Sequence, residues 1–255
     1  MRLIIIYFSL FTSLFALDIT AKYSVEYGIF GHVGTTQTRT FVDSDNRYKV
    51  DLHVQTVGLA NFMSGGREEW FLSIGAVNEK GIFVPEVFEK IVKQRVSSIN
   101  GFDSKWVDEK VTQRYTFAHD TKIVMLEETK EHDATVMHKA SKRADYYAPY
   151  DILSLFLNFP KLLPSLDLKE PVVLYAIGAN ETDGRVDVMP LPNASAIKEQ
   201  FAWADGHMLK VILNQEIFAS ERGELIINLG DDGLCKQGVL EDVILFGDIR
   251  GNRVL

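Results

Sequence analysis

The last segment of the chain carries an acid and a base in close succession. Asp248 and Arg250 stand in the stretch GDIRG, between Gly247 and Gly251. Residues two apart on an extended strand share a face, so these charges are placed to pair with each other or with nearby backbone groups. A reaction would also need a nucleophile or a metal beside them. The pair is therefore interpreted as structural, at the end of a last strand that kinks at the two glycines.

A second group of candidates lies in the stretch EETKEHDATVMH, whose acids and histidines are residue types that bind metals. None of the six histidines of the chain falls in an HxH or HExxH pattern, and no spacing here defines a tetrahedral ligand set. The interpretation is a charged, solvated turn between a hairpin that ends near Thr129 and a strand toward Tyr146, with no metal. The residues concerned are Glu128, Glu131, His132, Asp133 and His138.

The chain has one cysteine, Cys235, so no intrachain disulfide can form. Because no histidine accompanies it in a recognised motif, the thiol is interpreted as buried and unreactive. No GxSxG, P-loop or dinucleotide-binding motif occurs. The sequence therefore predicts no catalytic residue, no metal and no cofactor. An enzyme would need titratable groups that only the fold brings together.

The first residues have the layout of a secretory signal peptide. Arg2 precedes an apolar and small-residue run from Leu3 to Ala16, and Asp18 follows it. The run is shorter than the roughly 20 residues that span a bilayer as a helix, so we expect cleavage near Ala16 and export to the periplasm or beyond. Cleavage moves the net charge from −8 to −9, because Arg2 is lost and no acid is. A protein this acidic repels phosphate backbones, so nucleic acid is not an expected partner.

Most of the remaining chain is predicted to form short strands separated by glycine, asparagine and aspartate. In NRYKVDLHVQT, Tyr48, Val50, Leu52 and Val54 alternate with polar residues, which indicates a strand with one buried face. Hairpin turns are predicted at residues 78–81, at residues 119–121 and in NLGDDGL. The predicted fold is mainly β with a few helices, as one domain over residues 17–255. We expect an antiparallel curved sheet that forms a barrel or half-barrel with a helical lid or plug.

One stretch, YYAPYDILSLFLNFPKLLPSL, has helical periodicity. Asp151 is placed to cap a helix, and Ile152, Leu155, Phe156 and Phe159 recur at helical spacing. Two further leucines widen the apolar surface beyond one stripe, so this helix needs burial on more than one side. Its expected place is inside the concavity of the sheet or across its mouth. A second, weaker helix is predicted in NASAIKEQFAWA.

Four stretches together resemble a known family. YSVEYGIFGHVGTTQ, RYKVDLHVQTVGLANFM, GIFVPEVF and VLEDVILFGDIRG are similar to bacterial exported proteins of the domain of unknown function 3108 family. The resemblance covers most of the chain after residue 16. It implies an exported, β-rich protein, without implying an activity or catalytic residues. More remotely, the layout resembles the lipoprotein-carrier superfamily, in which a half-open barrel covered by helices holds acyl chains.

Two functions of different classes are compatible with these observations. In the first, the curved sheet binds or carries an apolar, lipid-like ligand, with the helix as lid or plug. In the second, an envelope scaffold binds another envelope protein through an exposed strand edge or an apolar patch, without a small ligand. The residues that would line the ligand site are Phe62, Trp70, Phe156, Phe159 and Trp203. The same aromatic side chains would equally fill a packed barrel, so the sequence leaves both functions open.

Overall fold

Strands make up most of the computed structural model, which describes residues 17–58, 61, 64–100, 103–180, 182–203, 205–213, 224–243 and 247–254. The predicted signal peptide, residues 1–16, lies outside this part of the chain. The strands before the main helix are β1 (Leu17–Tyr27), β2 (Gly31–Val42), β3 (Arg47–Thr56), β4 (Glu68–Val77), β5 (Phe83–Asn100), β6 (Asp103–Ala118), β7 (Ile123–His132), β8 (Thr135–Arg143) and β9 (Tyr150–Asp151). The later strands are β10 (Val172–Ile177), β11 (Arg185–Pro190), β12 (His207–Ile212), β13 (Glu224–Leu229), β14 (Cys235–Val243) and β15 (Gly247–Arg253). The helices are α1 (Ile152–Leu162) and α2 (Ala194–Phe201).

The described strands form one sheet, in the order β8-β7-β6-β5-β4-β3-β2-β1-β15-β14-β13-β12-β11-β10-β9. The chain meanders outward from β1 to β8, crosses to β9, and meanders back from β10 to β15. β15 then pairs with β1, with Tyr23 opposite Arg253. The described pairs are antiparallel except for the short parallel pair of β9 and β10. This is the mainly β, curved half-barrel with helices that the sequence predicts.

The two faces of the sheet follow the alternation of the sequence. On β3, Tyr48 and Val50 are 1% and 2% exposed and pack beneath α1. We call the side of the sheet that carries α1 the inner face and the opposite side the outer face. Gly75 lies opposite Tyr48 on β4. A Cβ at Gly75 would lie 2.8 Å from the Tyr48 ring, so the glycine makes room for that ring in the core.

The predicted hairpin turns are confirmed where residues 78–82 join β4 to β5 and residues 119–122 join β6 to β7. At the first turn, the Asn78 side chain accepts a hydrogen bond from the backbone of Lys80, and Gly81 has a φ of 74°. One prediction needs correction. The charged turn predicted between a hairpin that ends near Thr129 and a strand toward Tyr146 is much shorter than expected, because β7 continues to His132 and β8 begins at Thr135. The turn is only Asp133 and Ala134, with φ of 46° and 63°.

Helix α1 begins at a buried cap and is buried by both halves of the sheet. Asp151 Oδ1 accepts hydrogen bonds from the N–H groups of Leu153 and Ser154, and the Ser154 hydroxyl accepts from the Asp151 N–H. Phe159 packs against β11–β13, and Leu157 packs against the cluster on β3. The helix therefore plugs the inner face, as its two-sided apolar surface predicts.

Helix α2 covers part of the outer face. Its Ile197 is 7% exposed and packs with Trp203, Ile226 and Val239. Ile226 is followed on β13 by Ile227, whose side chain packs in the cluster beneath α1. Consecutive residues of a strand point to opposite faces, so α1 and α2 lie on opposite sides of the sheet. Within the described ranges, neither helix is long and apolar enough to cross a membrane.

Candidate functional site

Two of the residues predicted to line a ligand site, Phe156 and Phe159, lie on α1 and pack in the core. The rings of Phe156 and Phe159 lie 4.8 Å apart, and Phe159 is fully buried. Both pack against aliphatic side chains of the inner face that are themselves buried, among them Val186, Val188 and Leu209. These two predicted site residues therefore belong to one packed core cluster.

A polar network lies at the cap of α1 inside this core. Asp151 is fully buried, and its Oδ2 accepts hydrogen bonds from the hydroxyls of Ser73, at 2.6 Å, and Ser154, at 3.1 Å. Burial raises the pKa of the Asp151 carboxyl, although these hydrogen bonds oppose the shift. The Tyr48 hydroxyl lies 2.9 Å from Ser73 Oγ, and burial raises its pKa too. The network joins β3, β4 and the helix, and its acceptors are satisfied within the protein, so we assign it a structural role.

Trp70 lies on the outer face, away from α1. Its ring stacks on His53 at 4.9 Å with an angle of 7° between the planes, and Lys93 Nζ lies 4.6 Å from the indole ring. A depression of about 210 Å³ opens beside it, smaller than the roughly 300 Å³ at which ligand pockets begin. The residues that line this depression include Asp51, His53, Trp70, Leu72, Glu89 and Ile91.

The remaining predicted site residues lie elsewhere. Trp203 is 6% exposed beneath α2 on the outer face, with Phe201 at 5.5 Å between ring centres. Phe62 lies outside the described residues. The structure thus brings Phe156 and Phe159 together and separates both from Trp70 and Trp203. Ligand binding at these residues stays a prediction.

Asp248 and Arg250, the acid–base pair of β15, lie close to each other and to the end of α2. Asp248 Oδ2 and Arg250 Nη2 lie 3.7 Å apart, and the Arg250 guanidinium lies 4.7 Å from the centre of the Phe201 ring. The pair thus links β15 to the end of α2. The partly exposed Cys235 donates from its thiol to Gln237 O at 3.1 Å, and burial raises the pKa of the thiol to about 12. In the described ranges, no three His, Cys, Asp or Glu side chains are grouped to hold a metal ion.

A charged cluster that the sequence interpretation missed lies on the inner face beyond α1. Glu109 is 8% exposed and accepts hydrogen bonds from Lys130, at 2.5 Å, and from Gln94 and His132, each at 3.1 Å. Burial alone would raise the pKa of this carboxyl, but the hydrogen bonds outweigh burial and lower the pKa to about 2. The register alone predicts this contact between Glu109 and His132, because the two residues are direct partners on β6 and β7. The hydrogen bonds to Glu109 link side chains of β5, β6 and β7.

Strand β8 forms one open edge of the described sheet. It ends the sheet next to β7 and has no described partner on its other side. Eight of its nine residues are exposed, and only Ala140 is partly buried. Val136 and Met137 near the turn are 57% and 59% exposed. From His138 to Arg143 the register with β7 is regular, after a bulge between Lys130 and Glu131.

The outward hydrogen-bonding groups of this edge can be assigned from one contact. The backbone N–H of Ala144 donates to Val124 O at 2.8 Å, just beyond the end of β8. Bonded and non-bonded pairs alternate along an antiparallel ladder, so His138, Ala140 and Lys142 bond to β7. The residues between them direct their N–H and C=O groups away from the sheet. These residues are Lys139, Ser141 and Arg143. β8 therefore presents three outward donor–acceptor pairs to solvent.

The comparisons with known proteins give a fold-level likeness only. No family model matches the chain, and no curated protein matches it. The chain is similar to a solved structure described as a beta-barrel-like protein of domain of unknown function DUF1849 from Brucella abortus. The identity is 10%, the TM-score is 0.49, and the match covers 93% of this chain and 96% of that chain. That likeness carries no argument about activity, and the half-barrel assignment rests on the sheet described above.

Proposed function

We propose that this protein is an exported cell-envelope scaffold that binds a partner protein along the open edge of β8. The partner would add an extended segment to the sheet, as in other proteins that recognise peptides by strand addition. The observation that carries the proposal is the row of outward N–H and C=O groups on a regular, six-residue stretch of β8. An unpaired edge of this kind is a template for another strand unless something covers it.

Export is the second part of the proposal and is supported by the sequence. The apolar run from Leu3 to Ala16 after Arg2 has signal-peptide character. The mass of the protein isolated from a periplasmic fraction tests this part. A chain that begins at Leu17 is expected, and a chain that retains Met1 would contradict export.

The other candidate function, carriage of an apolar ligand, has weaker support. Phe156 and Phe159 lie in a packed core, and Trp70 and Trp203 lie on the outer face. Among the described residues, these four aromatic side chains do not line one common cavity. A lipid carried by this protein would therefore need a site other than the one beneath α1. An added, extractable lipid mass on the purified protein would restore this function.

Site-specific photo-crosslinking in living cells tests the scaffold proposal. We would place the photoreactive residue at position 141 on the β8 edge and, as a control, at Thr116, which is exposed on a strand paired on both sides. A captured protein counts only if, once purified, it binds the wild-type chain and the Ser141→Thr variant but not Ser141→Pro. Proline removes an outward N–H and no bond to β7. Equal binding to Ser141→Pro, or equal capture from position 116, would refute the proposal.

A further inference from the structure

We infer that the segment that pairs with β8 is acidic, so that the scaffold selects partners whose extended strands carry carboxylates. The inference rests on the proposed function and adds the chemistry of the partner. The regular stretch of β8 has the sequence HKASKR, with three permanent cations and no acid in six residues. The whole chain, in contrast, has a net charge of −8. The exposed edge is thus a basic strip on an acidic protein.

The cations of this strip are largely free of partners within the protein. Lys142 lies 3.6 Å from the exposed Asp145, while Lys139 and Arg143 form no ion pair within the described residues. The neighbouring strand β7 carries Glu127, Glu128 and Glu131, and none of them forms a described ion pair with β8. The basic charges are therefore available to a strand on the open side.

The side chains of the strip point to both faces of the sheet. Lys139 and Arg143 lie on the outer face with Ser141 between them, and Lys142 lies on the inner face beside Ala140. The small side chains of Ala140 and Ser141 leave room for those of an incoming strand. The two outer-face cations, Lys139 and Arg143, favour acids at alternate positions of that strand, because directly opposed charges of opposite sign stabilise a cross-strand pair.

A second copy of this chain is a poor occupant of the same edge. Antiparallel self-pairing centred on Ser141, a register in which the outward groups of both copies meet, would place Lys139 opposite Arg143 of the other copy on both sides of the centre. Like charges directly opposite each other are destabilising. The edge is thus protected against self-association while it remains complementary to an acidic strand.

Binding of three blocked eight-residue peptides to the purified protein, measured by fluorescence anisotropy, tests the inference. Valine and threonine alternate with glutamate in the first peptide, with glutamine in the second and with lysine in the third. We expect the glutamate peptide to bind at least about tenfold more tightly than the glutamine peptide, with an affinity that falls as salt rises. The lysine peptide should not bind.

Charge reversal supplies the matched control. Lys139→Glu with Arg143→Glu should abolish binding of the glutamate peptide and create binding of the lysine peptide. Lys80→Glu with Lys169→Glu changes the net charge equally at exposed loop positions and should leave binding unchanged. Ser141→Pro should abolish binding of every peptide. Melting curves must first show that each variant is folded.

The outcomes separate the inference from the function on which it rests. If the glutamate and glutamine peptides bind equally and Ser141→Pro abolishes both, the inference is wrong and the scaffold function stands. If no peptide binds, the inference is also wrong, and the scaffold function is then decided by the cross-linking experiment. If Ser141→Pro binds the glutamate peptide normally, both fail. Binding to vesicles of anionic phosphatidylglycerol that the Lys139→Glu, Arg143→Glu variant loses would assign the strip to a membrane surface and overturn the inference.

Discussion

The buried carboxyl of Glu109 should make the stability of the protein depend on pH. Its pKa falls from 4.5 to about 2 on folding, because hydrogen bonds from Lys130, Gln94 and His132 outweigh the cost of burial. A carboxyl whose pKa is lowered by folding stabilises the protein above its unfolded pKa and loses that contribution as the pH falls. The stabilisation is therefore complete near pH 7 and disappears between about pH 4.5 and pH 2.

The size of the effect follows from the same values. A shift from 4.5 to about 2, at about 1.36 kcal/mol per pKa unit, gives a ceiling of about 3 kcal/mol. The Lys130 side chain is 41% exposed, so solvent screens part of its interaction with Glu109. We expect Glu109→Gln to lower the free energy of unfolding by about 1–3 kcal/mol at pH 7 and by less than half that amount at pH 3.

Urea denaturation at pH 7 and pH 3 measures both values. Glu128→Gln is the matched control. Glu128 lies on β7, on the same face of the sheet as Glu109, and accepts a hydrogen bond from the neutral Gln113. The control should change stability by less than about 1 kcal/mol at pH 7. An equal loss at pH 7 and pH 3 for Glu109→Gln would refute the assigned ion-pair network, because it would mean that only packing was lost.

Three further predictions concern the core and the thiol. Asp151→Ala should lower the free energy of unfolding by about 2–4 kcal/mol, because it removes the cap of α1 and the acceptor to which the buried Ser73 hydroxyl donates. Asp151→Asn should lower it less. Equal losses of stability for the two variants in thermal melts would argue against the capping role. Phe159→Ala should lower the free energy of unfolding by about 3–5 kcal/mol. Phe41→Ala, at a position that is 37% exposed, should lower it by less than about 1 kcal/mol. A small loss of stability for Phe159→Ala would mean that α1 is not a packed plug. At pH 8, Cys235 should react with a disulfide reagent at least about a hundredfold more slowly in the native protein than in urea, and similar rates would contradict its burial.

The local features of the fold are those that the sequence predicts well. Tyr48 and Val50 alternate with polar neighbours, and the structure buries both. Asp151 before an apolar helical repeat predicts the cap and the start of α1, which the structure confirms. These features depend on residues close together in the chain, so periodicity and capping chemistry are sufficient.

The position of the candidate site depends on contacts that are remote in sequence. β8 is an edge only because β15 returns to pair with β1, which places the two ends of the described chain at the middle of the sheet. No local pattern carries that information. The same limit applies to Trp70 and Trp203, whose aromatic character predicts burial without predicting on which face of the sheet they lie. The run of cations in HKASKR was the available signal for an exposed edge.

Residue-resolved hydrogen exchange along β8 tests the central claim most directly. In the free protein, the N–H groups of Lys139, Ser141 and Arg143 should exchange rapidly, while those of Ala140 and Lys142 are protected by β7. Addition of the glutamate peptide should protect the first three and leave the others unchanged. Protection of Lys139, Ser141 and Arg143 in the free protein would show that the edge is already covered and would contradict the account.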